Sequence, residues 1–193
     1  MQRISSSFHA PVFRLRAGLL ISALLVAGSV SVFGQQKAER TWPNWMGPGY
    51  DGVSRESAWS TAWPDDGLKQ LWTTEIGTGF SSLSIADGRI FTMGHAAGRE
   101  TVWCLNADTG ALLWKHDYPE VLNDHLYEGG PGATPTIDGE FLYTLGVGGR
   151  LFCFRRSDGS IVWQKSLQDE LGLPMHEWGY NSSPRILGDQ LLI

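Results

Sequence analysis

Two glutamates stand at the same place in two successive stretches of the chain. Glu128 and Glu177 each lie two residues before a glycine, Gly130 and Gly179, and those glycines open the similar segments GPGATPTIDG and GYNSSPRILG. Carboxylates held on equivalent loops of one molecular face could receive a cationic or peptide ligand; hydrated loop residues would read the same way. Polar Ser81, Ser82, Asn181 and Ser182, with the small Ala133, fall at the entrance to the strands that follow. Repeat symmetry would bring them toward a common axis, so together with the two glutamates they are the candidate binding residues. The other reactive side chains offer less. His125 in EVLNDHLYEGG and His176 in LPMHEWGY are read as surface-loop residues, because a zinc site needs three or four convergent ligands. There is no tight DxDxD-type spacing for Ca²⁺, no nucleophilic serine motif, no phosphate loop and no pair of catalytic carboxylates. No catalytic residue and no metal ligand is therefore assigned.

The elements that must position these residues are repeated. CLNADTGALLW (104–114) and CFRRSDGSIVW (153–163) share three landmarks, each displaced by 49 residues: Cys104 to Cys153, Gly110 to Gly159 and Trp114 to Trp163. Upstream, GFSSLSIADG (79–88) aligns without gaps to GPGATPTIDG (130–139) and GYNSSPRILG (179–188), and each is followed by a β-rich run. One unit reads as four strands joined by tight turns. In the first complete unit they are expected near 83–86, 89–93, 101–105 and 111–117; in the second, near 134–137, 141–145, 150–154 and 160–166. The runs are apolar on both faces, as in sheets sandwiched between neighbours. Four-stranded sheets recurring at this period predict an all-β fold, a β-propeller of antiparallel blades. GLKQLW (67–72) reads as a closing strand and the run to Ile193 as the start of a third blade, so the propeller is expected to be incomplete in this chain.

The repeat also governs the cysteines. Two in an exported chain suggest a disulfide, yet equivalent positions of stacked sheets lie about 10 Å apart, beyond the roughly 7 Å that a disulfide spans between Cα atoms. Two buried, unpaired thiols are expected. A glycine in a turn can take positive φ, and a tryptophan on an outer strand offers a broad flat surface to the next sheet. Trp72, Gly110, Trp114, Gly159 and Trp163 are accordingly read as blade-docking residues.

Residues 1–34 carry Arg3, Arg14 and Arg16, no acid, and the apolar run AGLLISALLVAGSVSVF. This pattern is that of a secretory signal peptide, with a retained anchor as the competing reading. Cleavage would leave no stable membrane insertion and a chain bound for the periplasm or the extracellular space. The protein has a net charge of −5, and the 159 residues after the signal carry −8; such an acidic product repels nucleic acid phosphate. Residues 35–66 form an arm rich in Pro, Gly and Trp, including Trp42, Trp45, Trp59 and Trp63. It is expected to pack against the side or end of the propeller, with a ligand-stacking platform as the alternative.

The pattern of Asp108, Thr109, Gly110 and Trp114 resembles the tryptophan-docking repeat of quinoprotein dehydrogenases and their non-enzymatic relatives, among them the outer-membrane assembly protein BamB. WPNWMGPGYDGVS (42–54) is similar to the opening of exported PQQ-binding-like β-propeller repeat proteins. The resemblance implies that the Trp wedges between blades while the Asp and Thr region ties the turn. Arg155, with Ser157 and Asp158, departs from it in the second unit and implies weaker ties there. The dehydrogenases imply adjacent cysteines as a quinone platform, and this chain has none. The expected function is a binding or scaffold module for a protein or peptide partner in the cell envelope, without a cofactor. The alternative is a PQQ-dependent alcohol or sugar dehydrogenase, using PQQ with Ca²⁺, whose catalytic residues lie in further blades. A carbohydrate-binding surface on the Trp-rich arm is a third reading.

Overall fold

Each of the two complete repeats folds into a four-stranded antiparallel meander in the computed structural model, which describes residues 41–57 and 60–193. The signal segment 1–34, the start of the arm and Trp59 lie outside the described residues. The first sheet contains β1 (Ser84–Ala86), β2 (Arg89–Ala96), β3 (Arg99–Asn106) and β4 (Leu112–Pro119), in that order. The second contains β5 (Thr136–Asp138), β6 (Phe141–Leu145), β7 (Arg150–Arg155) and β8 (Ile161–Ser166). A short helix α1 (Leu167–Leu171), which the repeat pattern did not suggest, follows β8; Ser166 caps it by accepting from the Asp169 N–H. The hairpin of β9 (Arg185–Leu187) and β10 (Gln190–Leu192) begins a third unit. These are the blades of a β-propeller.

The shared landmarks have a structural origin. Cys104 pairs with Trp114 and Cys153 with Trp163 across the two outer strands, and in both sheets the register shifts immediately after the cysteine. Both cysteines are buried and free. Burial pushes the Cys104 thiol up to about 11.

The inner strands correct the gapless alignment by one residue. Ser84 pairs with Phe91 and Thr136 with Tyr143, so Ser84 corresponds to Thr136, an offset of 52 rather than 51 residues. The cause is turn chemistry. In the first hairpin both central residues have positive φ, Asp87 at 48° and Gly88 at 67°, whereas in the second Gly139 occupies the first central position. Turns with positive φ at both positions and turns with glycine first both fit a two-residue hairpin, so the glycine does not mark a fixed position.

Packing between the blades builds the core. Alternate residues of β4, Trp114, His116 and Tyr118, face Phe152 and Phe154 of β7, with the His116 ring 5.2 Å from each phenylalanine. Phe91, Met93, Val102, Cys104 and Leu142 complete the buried cluster. Residues 67–72, read as a closing strand, have no strand partner among the described residues. The extended run after Leu71 nonetheless half-buries every second side chain, Trp72, Thr74, Ile76 and Thr78, against the first blade, and Thr78 bridges to His95.

The arm is placed differently again. Trp42 forms an antiparallel bridge with Ile85, through two hydrogen bonds of 2.8 Å, and the Pro43 carbonyl accepts from the Ile137 N–H at 2.7 Å. It thus joins the free edges of β1 and β5, the strands that a propeller sets around its axis. The guanidinium of Arg185 on β9 lies 4.3 Å from the Tyr50 ring centroid. Trp42 is half-buried, but Trp45 and Trp63 are exposed, so the aromatic residues of the arm do not pack as one set.

Candidate functional site: the loop face

Antiparallel alternation sends the β2–β3 and β6–β7 turns and the blade-to-blade connections (120–135 and 167–184) to one face. The opposite face carries the turns at Asp87, Gly88 and Asp108 to Gly110. The docking residues lie at that second face. The Trp114 indole N–H donates to the Arg156 carbonyl at 3.0 Å, and its ring covers Gly159 so closely that a Cβ there would be 2.6 Å from the ring. Trp72 repeats the arrangement one blade earlier, donating to the Ala107 carbonyl at 3.1 Å and covering Gly110. Trp163 is half-buried, packed like Leu191 against the cluster of Ala133, Leu145, Leu151 and Leu167, and lies 6.0 Å from Tyr143.

The turn ties differ in detail from what the family resemblance implied. In the first blade the acceptor is Asn106, whose Oδ1 takes the N–H of Asp108 and both the N–H and hydroxyl of Thr109. Arg155 replaces Asn106 in the second blade, and there Asp158 accepts from the Ser160 N–H and hydroxyl instead. The tie has moved along the turn, with fewer side-chain bonds.

The loop face holds two adjoining clefts. The first, of about 680 Å³, is lined by Thr78, His95, Pro119, Val121, Leu122, Arg150 and Glu120, with residues 96–98. The second, of about 400 Å³, shares Glu120, Val121 and Leu122 and continues to His125, His176 and Glu177. Glu120 is pinned through its backbone: its N–H donates to the Gly98 carbonyl at 3.1 Å, and its own carbonyl meets His95 Nε2 at 2.9 Å. Its carboxylate stands 4.0 Å from the Arg150 guanidinium. Burial raises its pKa, and the Arg150 charge partly offsets that.

Behind the first cleft lies Glu100, with no exposed surface. It accepts from the Tyr118 hydroxyl at 2.6 Å and from the Val147 N–H at 3.1 Å, so a carboxylate of the first blade holds the 146–149 turn of the second. The Val147 carbonyl in turn accepts from the Tyr180 N–H at 2.9 Å, extending the link to the connection before β9. Gly146 is required there, since a Cβ would come within 2.3 Å of both the Glu100 carboxylate and the Tyr118 hydroxyl. Burial raises the Glu100 pKa, outweighing the two donors that lower it.

Among the residues singled out from sequence, Glu177 lines the second cleft with its carboxylate 3.9 Å from His125, and its carbonyl accepts from the Asn123 amide at 2.8 Å. Glu128 is exposed on the connection leading to β5 and lines neither cleft. Ser81 and Ser82 lie just before β1, where the Ser81 N–H donates to the Pro131 carbonyl at 2.9 Å. Asn181 donates to the Trp178 carbonyl at 2.6 Å and packs on Gly132; Ser182 beside it is exposed. Ala133 is fully buried. Glu100, Glu120, His95 and Arg150 were not foreseen. Their one sequence signal is asymmetry: Glu100 sits in a strand position whose counterpart one repeat later is Gly149.

Among the described residues, no helix is long and apolar enough to cross a membrane, and no group of three or more His, Cys, Asp or Glu could hold a metal ion.

The sheets and their mutual docking define a β-propeller. Residues 98–190 match the family model described as outer membrane protein assembly factor BamB. That match covers just under half of the chain, and the two blades are similar in build to PQQ-like repeat β-propellers. No curated protein matches it. Among solved structures it is similar to BamB from Moraxella catarrhalis, at 16% identity and a TM-score of 0.45, covering 63% of this chain and 32% of that one. It is also similar to the quinohemoprotein alcohol dehydrogenase from Comamonas testosteroni, at 16% identity and a TM-score of 0.43, covering 60% and 17%. A europium-containing methanol dehydrogenase gives 23% identity and a TM-score of 0.35, covering 43% and 14%. The chain spans less than a third of the length of each.

Proposed function

We propose that this protein is an exported β-propeller that serves as a binding or scaffold module for a protein or peptide partner in the cell envelope, engaged through its loop face. The observation that carries this reading is the pair of adjoining clefts, apolar in their walls and pinned at Glu120, on the face formed by the blade-to-blade connections. Recognition sites are concave and mostly apolar, with a few placed polar groups. The match to a family described as an outer membrane assembly factor supports a protein partner, and the Arg-containing apolar leader supports export. Glu177, which lines the second cleft, and Glu128, Ser81, Ser82, Asn181 and Ser182 on the connections of the same face are the polar residues that we assign to this surface.

A quinone cofactor fits the described residues poorly. The cysteines lie apart in separate sheets rather than adjacent, and no acidic cage for a divalent cation converges among the described residues. No catalytic step is derived through it. The test has two arms on the full-length protein. Incubated with PQQ and Ca²⁺, it is expected to retain no quinone absorbance through gel filtration and to show no alcohol-dependent reduction of an electron-accepting dye. Charge reversal of Glu128 and Glu177 is expected to weaken capture of the partner with an unchanged Tm, since exposed charges contribute little to stability. Retained quinone with dye reduction overturns the reading.

A further inference from the structure

We propose that the loop-face groove takes an extended polypeptide segment in which a lysine or arginine, flanked by apolar residues, enters beside Glu120. This inference rests on the binding-module reading and names the partner's chemistry.

The shape comes first. The two clefts share the wall formed by residues 120–122, so they are two parts of one groove, and an extended segment can follow it where a compact ligand would fill only one part. The walls are apolar: Val121 is 82% exposed, with Pro119 and Leu122 beside it. Exposed aliphatic surface next to a largely buried carboxylate suits alternating apolar and basic side chains.

Charge then sets the sign. The Glu120 side chain is only 17% exposed, and the Arg150 guanidinium stands at 4.0 Å, beyond hydrogen-bond distance. Its backbone is pinned, and among the described residues its carboxylate has no charged partner within hydrogen-bond distance. Glu177 lines the far part of the groove, and Asp124 and Glu128 lie on the connection beside it. An anionic segment would meet this field with like charge, whereas a basic one is complementary. A second copy of the chain is a poor occupant, because net −8 outside the leader repels its own kind. A bare amine would leave the apolar wall unused.

The test is fluorescence anisotropy of the full-length protein with three labelled peptides: an extended apolar sequence with a central lysine, and the same sequence with norleucine or glutamate there. The lysine peptide is expected to bind, and the glutamate peptide to bind at least tenfold more weakly. Glu120→Gln is expected to weaken the lysine peptide about tenfold, as for loss of one partner of a largely desolvated charge pair, and to abolish its advantage over norleucine. Val121→Lys, at an exposed position that leaves the fold intact, is expected to weaken it by a similar factor. Equal binding of all three peptides overturns the basic-segment assignment while leaving the loop face a binding surface. Failure of every peptide to bind, in a protein that still captures its partner through this face, overturns the groove as the seat.

Discussion

Gly159→Ala and Trp114→Ala form a double-mutant cycle that isolates how one blade grips the next. Gly159 has φ of 75°, and an added Cβ would lie 2.6 Å from the Trp114 ring. The left-handed backbone costs an alanine about 1–2 kcal/mol. The ring cannot withdraw freely, because its N–H is bonded to Arg156 and Phe91 and Phe154 each lie 5.9 Å away; overpacking adds about 1–3 kcal/mol. Gly159→Ala alone is therefore expected to cost about 2–5 kcal/mol. Trp114→Ala alone should cost about 3–5 kcal/mol as a core truncation. In the double mutant the collision is gone and only the backbone cost of the alanine remains, so the two changes should couple by about 1–3 kcal/mol. Urea denaturation of the four full-length proteins at one pH measures the coupling. Additivity within about 0.5 kcal/mol would refute docking of the Trp114 ring on Gly159.

Glu100 should reveal itself through pH. Burial raises its folded pKa above the ordinary 4.5, so the native state holds more protons than the unfolded chain in the interval above 4.5, and its contribution to stability is lost as pH rises through the folded pKa. Glu100→Gln is expected to flatten that decline relative to the wild type in a series of melts across pH. Glu100→Ala strands the Val147 N–H and the Tyr118 hydroxyl and is expected to cost about 2–4 kcal/mol; a neutral effect would contradict the inter-blade link. The thiols should be inert in the native state, with Cys104 pushed up to about 11, and Ellman titration after denaturation without reductant should count two per chain. A count near zero would contradict free cysteines.

The repeat architecture was legible because its landmarks are local. The Cys–Trp pairing across the outer strands recurs in the sequence as a 49-residue displacement, and a two-residue turn plus a flat aromatic surface fit few folds. The inner strands were less legible by one residue, since glycine can stand first or second in the hairpin. The arm's position was hidden for a different reason: Trp42 meets Ile85 through backbone hydrogen bonds, which leave no side-chain pattern to read. The site was the least legible part. Glu177 and His125 fall in different connections and meet only when the blades stack. Glu100 gains its partner Val147 from 47 residues away, and nothing beside it in the sequence distinguishes it from a solvated strand carboxylate.

Site-specific photocrosslinking tests the loop face most directly. A photoreactive residue placed at Val121, 82% exposed on that face, is expected to trap one discrete protein or peptide partner in the cell envelope, while the same residue at the exposed Asp108 on the opposite face traps none. The Val121 product should disappear when Glu128 and Glu177 are reversed in charge. Equal trapping from both faces, or none from Val121 in cells where the protein is folded and exported, would contradict the loop face as the binding surface.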